Sequence, residues 1–97
     1  MTPVVRVLDL KGPTGHDAKV GVWEAFESFK DKVPWRVTVS RDEEHEGCAV
    51  LLKRDGVEVE RLIVPDEQVE AVGGGLRAAV RGYVTVFLEG WARVSKS

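Results

Sequence analysis

Between Arg41 and Gly47 the chain reads Asp42-Glu43-Glu44-His45-Glu46, a run of side chains that can each offer oxygen or nitrogen to a cation. The spacing argues against a metal site. It lacks the Asp-x-Asp-x-Asp-Gly rhythm of a calcium loop, and it holds a single histidine. A catalytic zinc needs about three rigid protein ligands. The expectation is a solvated acidic loop, with Asp42, Glu43, Glu44 and Glu46 as a docking surface for a partner. Cys48 stands three residues after His45, and a thiolate beside an imidazole is a nucleophile. Yet Cys48 opens a nearly continuous apolar run to Lys53, where a cysteine is inert packing. An enzyme using Cys48 or the His45 loop is therefore the least favoured reading. No catalytic set, metal or cofactor is expected.

Anion chemistry has three candidate places. Gly12-Pro13-Thr14-Gly15 lies between a strand and a helix, which is the right context. It has no Lys-Ser/Thr pair and no Gly-x-Gly-x-x-Gly. Gly73, Gly74 and Gly75 precede a helix bearing Arg77, so backbone amides and a guanidinium could hold a phosphate. An ordinary turn between helices accounts for the same glycines. Arg77, Arg81 and Arg93 recur on one helical face, with Lys96 beyond, as in a helix that follows a phosphate backbone. The net charge of -2 and Glu89 within that face count against nucleic acid. His16 stands beside Asp17 at a helix start that disfavours a protonated imidazole, so it is a weak candidate for acid catalysis, and capping or solvent exposure is the expected role.

These residues must be carried by elements that the pattern sets out. Val4 to Leu10 reads as a strand and residues 11–15 as a turn. Ala18, Val22, Phe26, Phe29 and Val33 recur every three or four residues, one helical stripe widened by Trp23. Asp17, or Thr14, is the expected cap, and Pro34 the expected stop. Trp35 to Ser40 alternates cleanly as a half-buried strand. Cys48 to Lys53 reads as a central strand, Arg54-Asp55-Gly56 as a hairpin turn and Val57 to Val64 as the returning strand. In that last strand the apolar parity changes, which predicts a bulge near Glu60-Arg61. A short helix is expected from about Asp66, a break at the glycine triplet, then a longer helix to about Ser95.

The result is one α+β domain over residues 1–97: an antiparallel sheet of about four strands with helices on one face, in the order β-α-β-β-β-α-α. From residue 16 onward the order helix, strand, strand, strand, helix resembles a double-stranded-RNA-binding domain. That family places lysines at the start of its last helix, where this chain has Asp66-Glu67, so no functional residue carries over.

Composition narrows the class. With 43% hydrophobic and 31% charged residues, disorder is excluded as the chain's main state. No apolar run reaches the roughly 18 residues of a membrane span. The opening residues lack a signal-peptide pattern, and a lone cysteine excludes an internal disulfide framework, so a cytoplasmic protein is expected. Eighteen valines against one isoleucine point mainly to a GC-rich genome, and the scarcity of amides, with no Asn and one Gln, gives a thermophile as the other reading. Charge is uneven: residues 41–72 carry -6 and residues 73–97 carry +3. Such a dipolar chain suits a charged partner or its own twin.

The last helix is the most informative segment. Its apolar arc, running from Val86 round to Leu88, spans roughly 200°, against the ~100° that one core contact needs. The surplus predicts a homo-oligomer or a partner protein, with Tyr83, Val84, Phe87, Leu88 and Trp91 as the interface. The leading functional expectation is thus a non-enzymatic interaction or regulatory module. Nucleic-acid binding through Arg77, Arg81 and Arg93 is the alternative.

Overall fold

The computed structural model describes residues 3–10 and 12–95. The strands are β1 (Val4–Leu8), β2 (Trp35–Asp42), β3 (Gly47–Arg54) and β4 (Val57–Pro65); the helices are α1 (Pro13–Phe26), α2 (Asp66–Ala71) and α3 (Gly75–Ser95). The strands lie in the order β1-β2-β3-β4. β2, β3 and β4 form an antiparallel meander, as the alternation and the Asp55-Gly56 turn require. Both turn residues have positive φ, 53° and 81°, the conformation a twisted two-residue hairpin needs. β1 departs from the expectation, because it pairs parallel to β2 with α1 as the crossover. The sheet is therefore mostly, not wholly, antiparallel.

Several boundaries also move. Asp9, at φ 60°, ends β1 short of Leu10. Neither Asp17 nor Thr14 caps α1. Gly12 occupies that position and Pro13 sits in the first turn, where its missing N–H would have no helical partner anyway. The helix stops at Phe26, well before Pro34. The Phe29 N–H donates to the Phe26 carbonyl at 3.1 Å, so the chain tightens and leaves the helical path. Phe29 still packs on the core. The bulge falls at Val59, because Leu52 faces Glu60 while Lys53 faces Glu58. It restores Leu62 and Val64 to the core side as the parity argument demanded.

One face of the sheet is covered by α1 and α3. Val5, Val37, Val39, Val50, Leu52 and Val64 meet Ala18, Val22 and Phe26 of α1 and Val80, Val84 and Leu88 of α3. At the end of β2, Trp35 is the hub of an aromatic cluster, with edge-on contacts to Phe26, Phe29, Phe87 and Trp91. The two helices touch closely at Gly21. A Cβ there would lie 2.6 Å from the Arg77 carbonyl oxygen. α3 is helical through Tyr83–Leu88 despite their β propensity, and the glycine triplet breaks it from α2. Among the described residues no helix covers the other face of the sheet.

Candidate functional site

The acidic loop is partly committed to structure. Asp42 is buried: it accepts the His45 backbone N–H at 3.1 Å, and its other oxygen lies 3.0 Å from His45 Nδ1 and 3.3 Å from Arg61 Nη2. The N–H groups and ring of His45 hold its carboxyl below the usual range. Glu43, Glu44 and Glu46 remain exposed. The loop is tied to the start of α2, since Asp66 N–H donates to the Glu46 carbonyl and Arg41 grips the Asp66 carboxylate at 2.7 and 3.0 Å.

Cys48 and His45 do not form a pair. Cys48 faces the helices at 3% exposure, and burial pushes its thiol up to about 11. A thiol so placed is not a nucleophile at neutral pH. Among the described residues no group of three His, Cys, Asp or Glu side chains converges as a metal site. His16 is exposed.

The arginines divide. Arg77 donates through Nε and Nη2 to both oxygens of Glu24 on α1, at 2.9 and 2.5 Å, and Arg81 lies 3.7 Å from the same carboxylate. The Arg77 hydrogen bonds hold Glu24 below the usual carboxylate range. Two of the three expected phosphate contacts thus serve the junction of α1 with α3. Arg93 is exposed, and Lys96 lies outside the described residues. In the sequence Glu24 lies away from the apolar stripe of α1, and only the α1–α3 contact reveals its partners.

A second polar junction stands beside the aromatic hub. Asp31 receives Arg54 Nε at 2.7 Å, Trp35 Nε1 at 2.9 Å and the Val33 N–H at 3.1 Å. The Arg54 guanidinium also lies over the Trp91 ring, 5.8 Å from its centroid. Arg54 first, then Trp35 and the Val33 amide, depress the Asp31 carboxyl far below its ordinary value. Because the folded-state value is lowered, this contribution to stability is full above the unfolded carboxyl pKa of about 3.9 and is lost as the pH falls further. Asp31→Asn should cost on the order of 1–3 kcal/mol at pH 7. It should also flatten the fall in stability as the pH drops below about 4, as read by urea unfolding at each pH.

The expected interface of α3 splits between core and surface. Val84 and Leu88 are 0% and 2% exposed, turned inward within their own chain. Phe87 and Trp91 are half-buried in the aromatic cluster. Tyr83 points the other way, into an apolar groove of about 580 Å³ between β4, α2 and α3. Leu62, Val72, Ala79, Val86 and Phe87 complete its walls, with Glu60 and Gln68 at the polar margin. Gly82 contributes no side chain, and a Cβ there would meet nothing within 4 Å. Val86 stands 70% exposed beside it and Val72 37%. Val86 already marks one edge of the apolar arc in the sequence. The groove is not legible there, because it needs β4 and α2 brought alongside.

No protein-family model, curated protein or solved structure matches this chain. No helix among the described residues is long and apolar enough to cross a membrane.

Proposed function

We propose that the protein is a non-enzymatic, cytoplasmic interaction module that self-associates through the groove flank of α3. The observation that supports this is the apolar groove itself, with Val86 70% exposed at its lip. Exposed apolar surface gathered in one concavity is what an interface buries. Charge favours a second copy as the occupant. Arg93 lies in the last turn of α3, while α2, beside its first turn, carries exposed Glu67 and Glu70. Two copies paired antiparallel about a two-fold axis bring each Arg93 towards the other copy's acidic helix. Tyr83 and Phe87 are the aromatic anchors of such a contact. The cytoplasmic location is supported by the single, buried free thiol.

Light scattering over a range of concentration and salt tests the reading. The expected result is a dimer whose mass falls to that of the monomer in Val86→Asp. That side chain is mostly in solvent, so the variant should keep its circular dichroism and melting temperature. A wild-type chain that stays monomeric at ~1 mM, where only contacts weaker than about 4 kcal/mol would escape detection, overturns it.

A further inference from the structure

The uncovered face of the sheet has an organisation that neither the core nor the α3 contact uses. Register places its residues in rows across the strands. Val4, Arg36, Lys53 and Glu58 form one row; Arg6, Thr38, Leu51 and Arg61 the next; Leu8, Ser40, Ala49 and Ile63 the third. In the second and third rows the two central strands contribute the shorter Thr38, Leu51, Ser40 and Ala49, while the edge strands raise Arg6 on one side and Arg61 on the other. A shallow trough follows, about 280 Å³ of it lined by Thr38, Ser40, Ala49 and Leu51 with Glu58 and Arg61 on its β4 side. Arg6 and Arg61 stand three strand spacings apart, roughly 14 Å. A helix with its side chains is about 10–12 Å across.

The trough is basic in a chain whose net charge is -2. Among the described residues, Arg6, Arg36 and Lys53 make no ion pair, and Arg61 reaches only the buried Asp42, at 3.3 Å. Arg36 and Lys53 face each other directly across β2 and β3, an arrangement that repels when nothing anionic lies over it. Glu58, opposite Lys53, is the lone exposed carboxylate of the three rows. On either side of Arg6 along β1, Val4 is 64% and Leu8 42% exposed. No aromatic side chain stands in these rows, so unpaired bases have nothing to stack on. Apolar side chains beside cations, of which Arg6, Arg36 and Lys53 make no ion pair among the described residues, match a protein segment that is apolar on one side and acidic on its margins.

We infer that this face docks an acidic amphipathic helix of a partner protein, laid along β2 and β3. Its apolar stripe meets Leu51, Leu8, Val4 and Ile63, and its carboxylates meet Arg6 and Arg61. Its C-terminal end, where carbonyl groups concentrate negative charge, lies over Arg36 and Lys53. The site is on the opposite side of the sheet from the α3 groove, so occupancy does not depend on self-association.

The test uses the full chain and a fluorescein-labelled helical peptide with a leucine stripe between glutamates, read by anisotropy at ~0.15 M salt, where long-range attraction is screened. The glutamate peptide should bind, and its lysine-flanked counterpart should bind about tenfold more weakly or not at all. Arg6→Glu with Arg36→Glu should weaken binding by about tenfold or more, since like charges then meet. Both side chains are exposed, so the variant should fold, and a matched melting curve checks this. Arg93→Glu, away from the face, should bind as the wild type does, and so should Val86→Asp whatever its oligomeric state. Equal binding of the two peptides, or binding unchanged in the double variant, overturns the inference. So does an oligothymidine that binds more tightly than the peptide through the same two arginines, because the face would then be a nucleic-acid surface.

Discussion

Replacing Gly21 by alanine should destabilise the protein by about 3 kcal/mol, the upper end of what overpacking costs. The added Cβ would lie 2.6 Å from the Arg77 carbonyl oxygen and 3.3 Å from the Arg81 nitrogen, both backbone atoms of α3. No rotamer change relieves such a contact; the helices must move apart. Separation strains the Arg77–Glu24 pair and opens the seam where Val22 and Val80 are both fully buried. Urea unfolding should show a lower midpoint with an unchanged slope. Gly90→Ala is the matched control. It lies in α3 with nothing within 4 Å of the added atom, so it should stabilise by about 1 kcal/mol through helix propensity. Equal effects at the two glycines would show that propensity, not the close approach of α1 and α3, governs Gly21.

Trp35→Ala should cost about 3–5 kcal/mol, a large share of the stability of a domain this size. The indole is 4% exposed and touches rings from α1, the turn after it and α3. It also donates Nε1–H to Asp31, which fixes the turn that returns α1 to the sheet. Trp35→Phe separates these roles. It keeps most of the ring contacts and removes the hydrogen bond, so a loss of about 1–2 kcal/mol is expected from that bond and the smaller ring. If phenylalanine cost as much as alanine, the Asp31 junction, not ring packing, would hold this end of the fold. Thermal and urea unfolding of both variants decide between them.

The self-association reading and the sheet-face inference concern opposite surfaces and fail separately. An α3 dimer leaves the trough free, and an occupied trough leaves Val86 exposed. Were both correct, the protein would be a two-fold scaffold presenting two copies of one basic docking face.

Much of this architecture is written locally. Trp35, Val37 and Val39 alternate with Arg36, Thr38 and Ser40, and only an extended chain puts the first set on one side. Asp55-Gly56 supplies the two positive φ angles of its hairpin. Val80, Val84, Phe87 and Trp91 share a helical face that outweighs the β propensity of Tyr83–Leu88, and the glycine triplet lies at the break between α2 and α3. Each is a matter of neighbouring residues and a fixed period, so the order of elements follows from the sequence by itself. Other features depend on what comes alongside. The parallel pairing of β1 follows from the crossover of α1, and α1 ends at Phe26 because Asp31, Arg54 and Trp35 lock the turn behind it. Arg77 and Arg81 share a face with Arg93 in the sequence, but Glu24, far away along the chain, takes the first two. The wide apolar arc of α3 contains both Val84, sealed in the core, and Val86, left at the lip of a groove. Periodicity records how apolar each position is, but the packing of β4, α1 and α2 decides which positions water still reaches.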